Sequence, residues 1–274
     1  MGASLEPLRV AAVQAVSVAG DVEANVASTV QWVGEAALAG ARLLVFPELF
    51  LSGYDPATLR ERPDDCDLTR DDDRLTPLVK AVRSAGVTAV VGASLRSHDG
   101  RRSLSVLTIA ADGRVEAAYD KQHLWDEERA IFTAGVDGAS LQLGSWNLGL
   151  GICYDGCFPE HARAATDAGA LVYVCPSAYL VGSEHRRDLY YAARAIDNAV
   201  YVVFAGLVGQ CGELEFSGGT AVYDPQGRRV TGVVDDEGLV VADLEPAKID
   251  EARRINPYDH DRPATLGGRR VITV

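Results

Sequence analysis

Residues 148–160 read LGLGICYDGCFPE, and this stretch decides how the chain is interpreted. An apolar run ends at Ile152, Cys153 follows it, and Pro159 suits the first turn of a helix. The pattern predicts a strand, a sharp turn that presents the Cys153 thiol, and a helix whose N-terminus points toward it. Such a turn can help to lower the thiol pKa. A free thiol is mostly protonated at neutral pH, however, so a nearby base is still needed.

Apolar strands and amphipathic helices alternate on both sides of this stretch. Short apolar runs predict strands, and apolar residues at helical spacing predict helices from Asp21 to Gly40, near 75–84, from Pro159, and over 184–198. Turn residues between alternating segments predict hairpins at 105–119, at 140–152 and through the last third of the chain. The predicted strands are 10–16, 43–46, 88–95, 171–174 and 200–205. This order favours one layered α/β domain over residues 1–274.

Charge and composition exclude several classes of protein. The net charge of -13 argues against nucleic-acid binding, which needs basic patches. The sequence contains neither an apolar run of about 20 residues nor a secretory signal, so we expect no membrane partner and a cytoplasmic location. Five irregularly spaced cysteines without a CxxC pair support neither a disulfide framework nor a zinc site, and Cys153, Cys157 and His161 do not form a recognisable metal-ligand pattern.

Three polar residues stand where apolar strands end: Glu48, Lys121 and Cys153. Each alone is usually structural, as a surface carboxylate, a solvated cation or a core thiol. Together they supply a base, a cation for an oxyanion and a nucleophile, which suits acyl transfer through a thioester. The histidines lack a comparable context: His123 is interpreted as structural, and His161 and His185 are expected at the surface.

The chain resembles the nitrilase superfamily of carbon–nitrogen hydrolases. The resemblance is carried by three blocks in the order Glu, Lys, Cys, and it continues through most of the chain. The blocks are FPEL at 46–49 with Gly53-Tyr54, YDKQHL at 119–124, and GICYD at 151–155 with FPE at 158–160. Further similarity lies at RAIDN (194–198), FSGG (216–219) and DPQG (224–227). Asp120, Cys157 and Asp197 depart from the residues common in the family, and these departures bear on the substrate.

The resemblance implies a four-layer αββα sandwich with two mixed sheets and a catalytic triad of Glu48, Lys121 and Cys153. It also implies a second glutamate near the lysine, for which Glu128 fits better than Glu127. Substrate contacts are expected from Tyr54, Tyr154 and Ser177. No metal or organic cofactor is needed. A homodimer or larger homo-oligomer is expected, with the C-terminal tail near the subunit interface.

The reaction expected from this set is hydrolysis of a small amide to a carboxylic acid and ammonia. Tyr154-Asp155 stands where nitrilases have Trp-Glu, which favours the amidase and carbamoylase branches over nitrilases. N-carbamoyl compounds are the alternative substrates, and a substrate carboxylate would call for an arginine such as Arg163, Arg186 or Arg187. A binding protein without catalysis is the alternative of another class, and the intact Glu-Lys-Cys set argues against it.

Overall fold

The structure is a computed structural model that describes residues 5–233, 236–263 and 265–273. Its framework is two six-stranded sheets, here called sheet I and sheet II, and a two-stranded hairpin. Sheet I consists of β1 (Leu8–Gln14), β2 (Leu43–Val45), β3 (Thr88–Arg96), β4 (Arg102–Ile109), β5 (Val115–Asp120) and β14 (Gly238–Leu244). Sheet II consists of β6 (Ala139–Leu143), β7 (Trp146–Leu150), β8 (Val172–Ser177), β9 (Tyr201–Gly206), β12 (Ala221–Tyr223) and β13 (Arg229–Gly232). The hairpin pairs β10 (Val208–Cys211) with β11 (Leu214–Ser217).

Both sheets are mixed. Sheet I has the order β14-β1-β2-β3-β4-β5, in which β1, β2 and β3 run parallel and the outer strands pair antiparallel. Sheet II has the order β13-β12-β9-β8-β7-β6, with β7, β8 and β9 parallel. Each parallel centre is a run of apolar residues that is buried on both faces, which is the usual environment of such strands.

The eight described helices flank the sheets. They are α1 (Val22–Leu38), α2 (Pro56–Glu61), α3 (Pro63–Cys66), α4 (Thr76–Ala85), α5 (Pro159–Asp167), α6 (Glu184–Asn198), α7 (Pro246–Ile255) and α8 (Tyr258–Asp261). The Asp21 carboxylate caps α1 by accepting the Ala24 N–H at 2.9 Å, as the sequence predicted. Within the described ranges, no helix combines the length and the apolar character that crossing a membrane requires.

The two sheets pack face to face, and one continuous apolar cluster contains buried residues of both. Val13 and Val45 of sheet I and Val174 and Val203 of sheet II belong to it. Helices α1 and α4 pack together beside sheet I, and α5 and α6 pack against sheet II. This arrangement confirms the predicted four-layer αββα sandwich with two mixed sheets.

Two parts of the chain differ from the sequence prediction. The last third contains more than hairpins, because β14 returns to pair with β1 and is followed by α7. Nothing local to β14 indicates a partner more than 200 positions earlier in the chain. The runs of aspartates at 64–65 and 71–73 are typical of a solvated loop, but the segment forms α3 and a 3₁₀ turn at Asp73–Leu75, where the Asp72 carboxylate accepts the Arg74 N–H at 2.9 Å.

Candidate functional site

The residues singled out at the strand ends meet between the two sheets. Glu48 lies three positions after β2 and Lys121 directly follows β5, both in sheet I, whereas Cys153 follows β7 of sheet II. Glu48 is 0% exposed and Lys121 is 1% exposed, so two opposite charges are buried together. A buried carboxylate and ammonium persist only when they are paired and hydrogen-bonded.

The Glu48 loop depends on a close backbone approach. Gly92 in the middle of β3 lies directly under it, and a Cβ at this position would overlap the backbone of Pro47 and Leu49. The loop is held against β3 by the N–H of Phe46, which donates to Val90 O at 2.8 Å. Only glycine at 92 allows the Glu48 carboxylate to enter the space between the sheets.

The Cys153 turn is strained. Cys153 has φ +42°, in the left-handed region that non-glycine residues rarely adopt. The strain is offset by fixed hydrogen bonds on both sides, since Asp155 N–H donates to Ile152 O at 2.9 Å and the Tyr191 hydroxyl donates to Cys153 O at 2.9 Å. A 3₁₀ turn over Cys153–Cys157 lies between the thiol and α5, so the helix does not follow Cys153 directly.

The Lys121 ammonium has three protons, and each lies within hydrogen-bond distance of a carboxylate oxygen. Its Nζ is 2.6 Å from Glu48 Oε1, 2.7 Å from Glu128 Oε1 and 2.8 Å from Glu128 Oε2. Burial alone would lower the pKa of Lys121, but Glu128 and Glu48 raise it well above its ordinary value. The lysine is therefore a permanent cation.

Glu128 is the second glutamate that the sequence indicated. Besides Lys121, it accepts the Tyr54 hydroxyl at 2.5 Å and the backbone N–H of Trp125 at 2.7 Å. Glu127 instead pairs with Arg60 in an exposed ion pair at 2.6 Å. With both oxygens occupied by donors, Glu128 is suited to fixing Lys121 rather than to exchanging protons.

Glu48 is suited to exchanging protons. Burial raises its pKa to about 7, although Lys121 acts in the opposite direction. Its Oε2 accepts no hydrogen bond from the described residues. Burial and the Glu48 charge also raise the pKa of Cys153 well above its ordinary value, so the turn does not lower it as expected. The thiol is protonated at rest, and Glu48 is the base close enough to affect its pKa.

A small cavity of about 120 Å³ opens onto Lys121, Glu128 and Cys153. Six of the fifteen lining residues are aromatic, and Lys121, Glu128 and Cys153 are among the polar ones. Pockets for drug-sized ligands enclose several hundred Å³. A cavity of this smaller volume therefore suits a short acyl group. The remaining lining residues are Tyr54, Trp125, Tyr154, Cys157, Ala178, Tyr179, Leu180, Ser183, Arg186, Tyr190, Leu214 and Phe216.

Of the substrate contacts expected from the sequence, Tyr54 and Tyr154 line this cavity. Ser177 lies outside the lining, fully buried, where its hydroxyl is 3.1 Å from Cys175 O and 3.0 Å from the hydroxyl of Tyr191. The sequence contains no local signal for Tyr179 or Tyr191, because the loop after β8 and the middle of α6 meet the end of β7 only in the folded chain.

The histidines lie outside the cavity. His185 is exposed as expected, but the surface placement of His161 is wrong, since only 7% of it is exposed. His161 lies in the first turn of α5, between the hydroxyls of Tyr119 and Tyr173. Among the described residues, no cluster of three or more His, Cys, Asp or Glu side chains could hold a metal ion.

Several known proteins are similar to this chain over most of its length. Residues 9–254 match the family model of the carbon–nitrogen hydrolases. An (R)-stereoselective amidase from Pseudomonas sp. is 32% identical over 92% of this chain and 90% of its own length. The 2-oxoglutaramate amidase of Bacillus subtilis is 32% identical over 81% of this chain and 85% of its own length.

A solved structure shows the same fold. It is an amidase from Nesterenkonia sp. AN1 in which acrylamide has added to the active-site cysteine. It superposes with a TM-score of 0.79 at 28% identity, over 92% of this chain and 99% of its own.

Proposed function

The chain belongs to the nitrilase superfamily of carbon–nitrogen hydrolases and hydrolyses small amides through a cysteine, and from that premise we propose that Cys153, Glu48 and Lys121 carry the reaction. One observation carries this assignment: a buried lysine joins two carboxylates beside a protonated thiol at the base of a small cavity. Few structural roles require these four groups together.

In the first half-reaction, Glu48 takes the Cys153 proton as the sulfur attacks the carbonyl carbon. The backbone N–H of Tyr154 makes no backbone hydrogen bond within the described residues, so it is available to the oxyanion. Glu48 then gives its proton to the leaving nitrogen, the C–N bond of the tetrahedral intermediate breaks, and ammonia departs, which leaves a thioester on Cys153. In the second half-reaction, Glu48 takes a proton from water, the hydroxide attacks the thioester, and the proton returns to the Cys153 sulfur as the acid leaves.

The hydrogen bonds of Lys121 determine when in the reaction it can stabilise the oxyanion. At rest all three of its protons are directed at carboxylates. Protonation of Glu48 removes the charge of one acceptor and weakens that bond. One N–H of Lys121 then becomes available to the oxyanion at the moment when the negative charge develops.

We expect an amide to be hydrolysed with a kcat/KM at least about 100-fold above that of its matched nitrile. The leaving nitrogen of a planar amide must be protonated, so Glu48 has to lie near that atom. A linear nitrile places its nitrogen differently and needs a differently shaped space around it. Family membership does not decide this, since a relative named nitrilase from Pyrococcus abyssi is 28% identical over 87% of this chain. Ammonia release from butyramide and butyronitrile is the measurement. Equal values would contradict the amidase assignment.

A second class of substrate is favoured by one arginine. Arg163 pairs with Asp259 at 3.1 Å outside the cavity, and Arg187 is buried and donates to Gly218 O at 2.9 Å. Arg186 lines the cavity and makes no hydrogen bond or ion pair to a residue in the described ranges. An unpaired guanidinium at the cavity mouth suits a substrate carboxylate, as in N-carbamoyl amino acids.

A comparison of charged and neutral substrates tests this second class. We expect Arg186→Gln to lower the ratio of kcat/KM for an N-carbamoyl amino acid to that for its neutral methyl ester by about tenfold. Arg163→Gln is the control, since Arg163 lies outside the cavity. If this ratio is the same in wild type and Arg186→Gln, Arg186 does not bind a substrate carboxylate, and neutral amides are the substrates.

We also propose that the chain works in the cytoplasm as a homodimer or larger assembly. The five cysteines are all free, as suits a reducing compartment. The C-terminal tail exposes apolar side chains, among them Leu266 at 85% and Val271 at 91%, which a second copy can cover. Sedimentation velocity at micromolar concentration distinguishes an assembly from a 29.2 kDa monomer.

A further inference from the structure

A buried carboxylate lies two residues beyond Cys153 and outside the cavity. Asp155 is 0% exposed. Its Oδ2 accepts the backbone N–H of Ile152 at 3.0 Å and the hydroxyl of Tyr119 at 2.7 Å. Its Oδ1 accepts the backbone N–H of His123 at 2.9 Å and lies 2.8 Å from Nδ1 of the same residue. Four donors therefore converge on one side chain.

The protons of the surrounding network can be assigned one by one. Tyr119 has a single hydroxyl proton, and it goes to Asp155. The His161 Nε2, 2.8 Å from the Tyr119 oxygen, must then carry a proton and donate it. Burial lowers the pKa of His161, so its ring is neutral and its Nδ1 has a lone pair. That nitrogen accepts the Tyr173 hydroxyl at 2.9 Å.

The donors to Asp155 come from both halves of the sandwich. Ile152 belongs to the turn of sheet II that carries Cys153, whereas Tyr119 and His123 flank Lys121, which follows a strand of sheet I. The carboxylate therefore joins the nucleophile turn to the chain on both sides of the lysine. The Tyr173 hydroxyl packs so closely under this turn that a Cβ at Gly151 would overlap it.

We infer that Asp155 is a positioning residue that sets the placement of Cys153 relative to Lys121. This inference rests on the proposed roles of those two residues. A carboxylate is required because all four groups around it are donors. An asparagine has one acceptor oxygen and one NH₂ group. The two donors that bind one of the Asp155 oxygens would then face the NH₂ group, which is itself a donor, and would lose their hydrogen bonds. The turn and the lysine segment would then separate, and a displacement of about 1 Å can lower the rate about 100-fold.

The test is Asp155→Asn, assayed on butyramide in the full chain. We expect kcat to fall about 30-fold to 100-fold while KM changes less than about threefold, because none of the residues that line the cavity is replaced. The rate at which iodoacetamide alkylates Cys153 should fall as well. The matched control is Asp224→Asn, because the Asp224 carboxylate likewise accepts two backbone N–H groups, each at 2.9 Å, in a turn far along the chain from the site.

A second variant keeps the test decisive if Asp155→Asn does not fold. Tyr119→Phe removes one donor and leaves the carboxylate, and we expect a three- to tenfold loss of kcat with an unchanged KM. If Asp155→Asn folds, a wild-type kcat together with a wild-type rate of alkylation overturns the inference. If it does not fold, the same result for Tyr119→Phe overturns it. A wild-type protein that releases no ammonia from any amide contradicts the proposed function instead. The alkylation rate, which needs no substrate, still tests the placement of Cys153.

Discussion

Cys153→Ala is expected to lower amide hydrolysis by at least about 10⁴-fold, because the covalent route is lost when the nucleophile is removed. The variant should keep its fold. Cys153 is partly exposed, and the one hydrogen bond that its thiol makes within the described residues, to Ala178 O at 3.9 Å, is long and weak. Ammonia release under saturating butyramide is the measurement, with circular dichroism as the check on folding.

Cys66→Ala is the matched control for the nucleophile. Cys66 is a free thiol that is buried in α3, and it does not line the cavity. We expect this variant to keep turnover within a few-fold of wild type wherever it remains folded. Activity of Cys153→Ala within tenfold of wild type would remove Cys153 from the mechanism.

Glu48→Gln is expected to lower kcat by about 10³-fold, because Glu48 transfers protons in both half-reactions. The glutamine side chain is close in size to that of Glu48. Its oxygen can still accept a hydrogen bond from Lys121, whose Nζ lies 2.6 Å from Glu48 Oε1 in the wild-type chain. Wild-type kcat/KM should fall with acid around a pKa of about 7, since the base must be ionised to accept the thiol proton. This acidic limb should be absent from the residual activity of the variant.

The pH profile separates a base from a merely structural carboxylate. Glu127→Gln is the control, since Glu127 pairs with Arg60 in an exposed ion pair outside the cavity lining. It should retain both the rate and the acidic limb of wild type. A Glu48→Gln enzyme with normal turnover, or with the same limb, would show that another group accepts the proton.

The sequence predicted the strand ends that carry Glu48, Lys121 and Cys153, since apolar runs and the polar residues after them are local features. It also predicted the cap of α1 at Asp21 and the bounds of α6. What it missed depends on contacts between distant segments. The pairing of β14 with β1 and the burial of His161 between two tyrosines are examples.

The electrostatics of the site could not be predicted from the motif either. The sequence indicated a turn that helps to lower the Cys153 pKa, but burial and the nearby carboxylate raise it. The choice among three arginines likewise needed coordinates. Arg186 and Arg187 are neighbours in the chain, yet one lines the cavity and the other is bonded to the loop after β11.

The raised pKa of Glu48 has a thermodynamic consequence for the whole fold. Its ordinary value of 4.5 rises to about 7 in the folded chain, so the native state holds this proton more tightly than the unfolded state. The resulting penalty is absent below pH 4.5, grows between 4.5 and 7, and is complete above 7, where it reaches on the order of 3 kcal/mol. The enzyme is therefore least stabilised at the pH where its base is ready to act. Activity at Glu48 and resistance to unfolding oppose each other, and the inactive Glu48→Gln chain should melt at a higher temperature than wild type at pH 8, with the difference shrinking toward pH 5.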